Sequence, residues 1–142
     1  IDIYSSIYEK IGEKNFPKKE ILNFFENGAS ESPPSSIFYY PFISPNGERG
    51  PFVNTKARAQ FLGLNTNTKV DDMVRAIYES LGYACKDCYT EFGAELDLLR
   101  LTGGASNSPL VRKIVGSITK NNTQVIDNSE QGALSVSPRA AV

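Results

Sequence analysis

No histidine occurs anywhere in the 142 residues, and that one gap removes Ser-His-Asp, Cys-His and histidine-ligated metal chemistry together. Cysteine is almost as scarce. Cys85 and Cys88 are the only two, spaced as a single C-x-x-C, and two thiolates cannot close a four-coordinate zinc site. A redox role would place such a pair at a helix start. This pair falls late in a long amphipathic segment, where i and i+3 share a face. Structural thiols and no metal site are therefore expected, and reduced thiols suit a cytoplasmic protein. No apolar run approaches the roughly eighteen residues a membrane span needs, and no basic start leads into an apolar signal core. Net charge is only −1, which argues against a surface that tracks nucleic-acid phosphates. Neither nucleic acid nor membrane is expected as a partner.

What is present is ordinary for a globular domain: 40% apolar and 22% charged residues in a length that asks for one domain. The chain opens on Ile1 rather than Met, which reads as processing or excision. Two short helices are expected first. Ile3, Ile7, Tyr8 and Ile11 lie on one stripe that ends at Gly12. Pro17 suits a first helical position for a second helix, with Ile21, Leu22, Phe24 and Phe25 as its apolar face and Gly28 as its stop. Residues 28–36 form a Pro/Ser-rich connector with little capacity to pack. The chain accordingly divides into 1–36, a helical segment with its connector, and 37–142.

Residues 37–43 read as an edge strand or an irregular buried segment, because Pro41 interrupts an aromatic run. Ser44-Pro45-Asn46-Gly47 is a turn, and 48–64 shows no periodicity and reads as an ordered loop. From Val70 the pattern is helical. Val70, Met73, Val74, Ile77, Leu81, Cys85, Cys88 and Phe92 recur at three- and four-residue steps, with Thr68-x-x-Asp71 as a capping box. Gly82 inside it implies close packing at that point. A strand over 98–102, a Gly-rich turn over 103–107 and a helix opened by Ser108-Pro109 follow. That helix should bury Leu110, Val111, Ile114, Val115 and Ile118 and end at Asn121-Asn122. A strand over 124–127 and a last helix from Gln131 close the order. Alternation of helix and strand predicts an α/β fold, with helices packed on a short parallel sheet and a right-handed crossover. Two strands make a small sheet, so the piece is either the end of a larger α/β domain or is completed from elsewhere.

Three groups of residues invite a chemical reading. Gly103-Gly104 lies beyond the carboxyl end of a strand and at a helix start, where open α/β sheets bind ligands. It reads either as a nucleotide surface or as an ordinary tight turn, and it matches neither a dinucleotide fingerprint nor a P-loop. Glu48 and Arg49 read as an acid beside a phosphate-steering cation, or as a salt-bridged pair that fixes the loop, the second being preferred. Phe38, Tyr39, Tyr40 and Phe42 read as a sugar-stacking platform or as core, with core preferred.

Taken together, the segments are more specific. Phe42-Ile43-Ser44 with Gly47-Glu48-Arg49-Gly50-Pro51-Phe52 comes first, then Ala59-x-Phe61-x-Gly63-Leu64, and then Asp72-Met73-x-x-Ala76-Ile77-Tyr78-Glu79. With Thr102-Gly103-Gly104-Ala105-Ser106-Asn107-Ser108-Pro109-Leu110 and Glu130-x-Gly132-Ala133-Leu134, they resemble the C-terminal half of the FGGY carbohydrate kinases, and the run from Tyr40 to Arg49 looks closest to pentulose or tetritol kinases. The resemblance runs from about Phe38 to the end. It implies the C-terminal part of an actin-like ATPase (ribonuclease H-like) domain, with ATP in the cleft between two domains. Gly103, Gly104 and Ala105 would lie along the adenosine and Ser108 would face the adenine. The sugar site, the catalytic aspartate, the phosphate turns and most Mg²⁺ contacts would belong to an N-terminal portion outside this chain. Its partners would be a sugar or polyol and the rest of the same polypeptide, and a homodimer is compatible with it. Two departures stand out: Val53 occupies a position where many members carry Trp, and Pro138 should break the helix that follows Leu134. A non-catalytic binding or scaffold module of the same fold is the alternative.

Overall fold

The computed structural model describes Lys10 and residues 17–93 and 97–126. The expected stripe from Ile3 to Gly12, the helix from Gln131 and the Glu130–Leu134 segment lie outside the described residues. Helix α1 spans Lys18–Glu31, with Pro17 one position earlier, at its N-cap. The helix does not stop at Gly28. It runs one turn further because Ala29 faces inward, fully buried against Leu110 and Ile114. Of its expected apolar face, Ile21 and Phe25 are half-buried, while Leu22 and Phe24 are exposed.

The connector also packs more than its composition suggested. Ser35 donates its hydroxyl to the Asp72 carbonyl at 3.2 Å and its N–H to the Glu79 carboxylate, and Ile37 is 2% exposed. Strand β1, Phe38–Tyr40, then pairs antiparallel with β2, Gln60–Leu62, in the register Tyr39 to Phe61. The segment 48–64 is thus not all loop. Three residues of it find a partner strand that no periodicity in so short a stretch could announce. Between the two strands, the expected turn closes with the Gly47 N–H on the Ser44 carbonyl at 3.0 Å. Gly47 is required there: its φ is +76°, and an added Cβ would meet the Asn54 and Thr55 backbone.

Helix α2, Val70–Phe92, is the 23-residue spine. Its N-cap is Lys69 rather than Thr68. The Asp72 carboxylate accepts the Lys69 N–H at 2.9 Å, and Thr68 instead accepts from the Asn65 N–H. The apolar stripe is only partly buried. Val70, Ile77 and Leu81 are exposed, whereas Ala76, Glu79, Ser80 and Gly82 point inward. Gly82 is small because α3, Pro109–Thr119, crosses close by. An added Cβ at Gly82 would stand 2.7 Å from Ile118 Cδ1 and 3.4 Å from Ile114 Cγ2. The close approach expected at Gly82 is therefore real.

Strand β3, Leu98–Leu101, pairs parallel with β4, Asn122–Val125. Helix α3 ends earlier than expected, at Lys120 with φ +59°, and β4 starts earlier with it. The core gathers Leu99 of β3 with Val111 and Val115 of α3, against Tyr78, Cys85 and Tyr89 of α2. Parallel strands joined through α3, with helices packed on them, make the α/β arrangement that the order of elements predicted.

Candidate functional site

The Gly103–Ser108 turn is built between β3 and α3. Gly103 takes φ +82°, a left-handed value natural to glycine. Gly104–Asn107 then form one 3₁₀ turn. Ser106, 3% exposed, ties the turn from below. Its N–H and its hydroxyl both donate to the Gly103 carbonyl, at 3.2 and 2.7 Å. The Arg112 guanidinium donates to the Ser106 carbonyl at 3.2 Å. Ser108 caps α3, accepting the Val111 N–H at 3.1 Å, while Pro109 fills the first helical position.

Among the described residues, a Cβ at Gly103 or Gly104 would meet nothing within 4 Å. At Gly104 there is no left-handed φ either, so nothing inside the described residues demands glycine. Two successive glycines leave bare backbone on that side. The Ser108 hydroxyl, half-buried at one end, donates to Glu26 Oε1 of α1 at 2.5 Å. Sequence reasoning missed Glu26. It lies 82 positions away from Ser108, and no spacing rule links them.

Glu48 and Arg49 are not an ion pair. The Glu48 carboxylate instead accepts the backbone N–H groups of Arg49 at 2.7 Å and Gly50 at 3.1 Å. Those two bonds hold its carboxyl below the usual carboxylate range. The reason is local: a tight bend places both amides over the acid one and two residues earlier. The one ion pair among the described residues is Arg75–Glu79, at 2.7 Å and largely buried.

The aromatic run is not the closed core that was preferred. Phe38 and Tyr40 are exposed, and with Phe42, Phe52 and Tyr83 they line a groove of about 390 Å³. Phe42 and Phe52 meet edge to face at 5.6 Å, and Phe38 tilts against Tyr83 at 6.5 Å. Only Tyr39 is packed within the sheet, on Phe61 at 4.6 Å. Both cysteines are free and half-buried. Cys85 packs on the Leu99–Val111–Val115 core, where burial pushes its thiol up and a hydrogen bond with Tyr89 partly offsets that. Among the described residues no three acidic or sulfur ligands converge, and no helix is long and apolar enough to cross a membrane.

Known proteins resemble this chain in sequence and in fold. The sequence is 37% identical to an erythritol kinase of Brucella abortus over 130 residues, 92% of this chain and 25% of that protein. The chain spans about a quarter of the length of the curated relatives it matches. Among solved structures it is similar to the ligand-bound xylulose kinase of Lactobacillus acidophilus, with TM-score 0.68 and 24% identity over 78% of this chain and 23% of that one. It is also similar to Plasmodium falciparum glycerol kinase with ADP, with TM-score 0.66 and 20% identity over 92% of this chain and 26% of that one. These likenesses show the fold, an actin-like ATPase one. The profile of the FGGY family of carbohydrate kinases, C-terminal domain, matches residues 7–141. The chain therefore belongs to the FGGY family of carbohydrate kinases, as a portion of its C-terminal domain.

Proposed function

We propose that the protein of which this chain is part transfers the γ-phosphoryl group of ATP to a hydroxyl of a sugar or polyol, and that this portion supplies the adenosine surface. The observation that carries the reading is Gly104: an exposed glycine with ordinary φ and empty space where a side chain would stand. Within the described residues that vacancy serves nothing, whereas a nucleoside lying on the backbone needs it. Gly103, Gly104 and Ala105 would run along the adenosine, with Ser108 toward the adenine. The buried Ser106 and the Ser108 cap hold the turn in shape before any ligand arrives, so little ordering remains to be done on binding.

Residues 37–142 are the nucleotide-side portion in this reading, and 1–36 lead into it. A tetritol or pentulose is the favoured acceptor, because the erythritol kinase relative aligns over nearly the whole chain. Mg²⁺, arriving with the phosphates, would neutralise charge on the transferring group. The described residues offer no cluster to hold it, so its contacts and the proton-accepting carboxylate are assigned to the rest of the polypeptide. A cytoplasmic location fits free thiols at Cys85 and Cys88.

The test is Gly104→Val in the full-length protein. No clash with the described residues is introduced, so the variant should fold, and the KM for ATP should rise at least tenfold with the KM for the acceptor nearly unchanged. Equal effects on both, or no effect, would overturn the assignment.

A further inference from the structure

We infer that Glu26 sets the nucleobase preference of the Gly103–Ser108 turn, by holding the Ser108 hydroxyl as an acceptor that takes a 6-amino purine and turns away a 6-oxo purine. This rests on the reading of that turn as the adenosine surface. A serine hydroxyl has one hydrogen and two lone pairs. Here the hydrogen is committed to Glu26 Oε1 at 2.5 Å, a short bond of the charge-assisted kind. One lone pair takes the Val111 N–H at 3.1 Å. What remains at Ser108 is a single lone pair, able only to accept.

Glu26 is not placed there by chance of a loose surface side chain. It is half-buried on α1, and α1 is anchored by the fully buried Ala29 against Leu110 and Ile114, the first turns of the helix that Ser108 caps. Its charge also reaches Tyr78 on α2, where it adds to the burial that keeps the phenol protonated. Three helices thus fix one carboxylate beside one hydroxyl. Without that carboxylate the hydroxyl could rotate and donate, and a purine carbonyl at position 6 would satisfy it as well as an amine would.

Inosine triphosphate differs from ATP at position 6, carrying oxygen for the amine, and is the probe. In the full-length kinase the ratio of kcat/KM for ATP over ITP should fall about tenfold in Glu26→Ala, and less in Glu26→Gln, whose amide oxygen still accepts the Ser108 hydroxyl. A merely structural role would lower both nucleotides alike and leave the ratio unmoved. Ser108→Ala removes the acceptor while keeping Glu26, and should also collapse the ratio, which covers the case in which the Glu26 variants fail to fold. A ratio within twofold of the parent in folded Glu26→Ala, or in Ser108→Ala should Glu26→Ala not fold, would overturn the proposal. Gly104→Val separates the two layers. If it raises the KM of ATP and ITP together while Glu26→Ala leaves their ratio intact, the adenosine surface stands and the role of Glu26 falls. If it moves neither KM, both fall.

Discussion

The Glu79 carboxylate accepts the Ser35 N–H with both oxygens at 3.3 Å, across 44 positions of sequence, while Arg75 donates to the same carboxylate at 2.7 Å. Arg75 in turn donates to the Ala29 carbonyl at 3.1 Å. One acid on α2 therefore anchors the segment between α1 and β1. Glu79 closes the Asp72-Met73-x-x-Ala76-Ile77-Tyr78-Glu79 run, and it ties strand entry to the spine.

Glu79→Ala should be costly for that reason. Arg75 would stay largely buried with its charge unpaired, and breaking such a pair typically costs about 3–5 kcal/mol. Partial exposure argues for the lower end, about 3 kcal/mol. Urea denaturation of the full-length protein should show the fall in midpoint, and Glu79→Gln should lose less because its amide oxygen still accepts.

Gly82 should resist enlargement. Helix propensity favours Ala over Gly by about 1 kcal/mol, but any Cβ stands 2.7 Å from Ile118 Cδ1. Gly82→Val adds two more carbons at the crossing, and overpacking of that kind costs roughly 1–3 kcal/mol. The expected net loss is about 2 kcal/mol. A midpoint equal to the parent's would show that α2 and α3 can slide apart freely.

Cys85 should make the fold sensitive to alkali. Burial raises its thiol above the ordinary value of 9.0, and burial likewise raises Tyr78 and Tyr89 above 10.0. Groups raised in the fold ionise first in the unfolded chain, so their support is complete below the ordinary values and is lost as pH climbs past them. Stability should hold from neutral pH to about 9 and then decline. At neutral pH the Cys85 thiol should react with iodoacetamide more slowly than the same thiol in urea.

The 142 residues alone should not phosphorylate any sugar. Phosphoryl transfer needs a hydroxyl, a proton acceptor and the γ-phosphate held in line, and misplacement by about 1 Å can cost a hundredfold. ADP release against erythritol, xylulose and glycerol should stay at background until the rest of the polypeptide is supplied. Acceptor-dependent turnover that survives repurification would place the catalytic carboxylate within this chain.

Local pattern was enough for the elements with a strong period or a specific cap. Helix α2 followed from its three- and four-residue repeat, the start of α3 from Ser108-Pro109, the turn at Gly47 and the close crossing at Gly82 from glycine chemistry. The parallel strands followed from the order of elements, and the family from motifs in sequence order. Partnerships were out of reach of the sequence, because they join residues far apart along the chain. Strand β2 exists only because β1 pairs with it. Helix α1 passes Gly28 only because Ala29 finds Leu110 and Ile114. Glu48 bonds to backbone amides rather than to Arg49 because the loop bends over it. The same limit applied at the site: the glycines were visible as letters, but the space beyond Gly104 and the reach of Glu26 to Ser108 are properties of three packed helices.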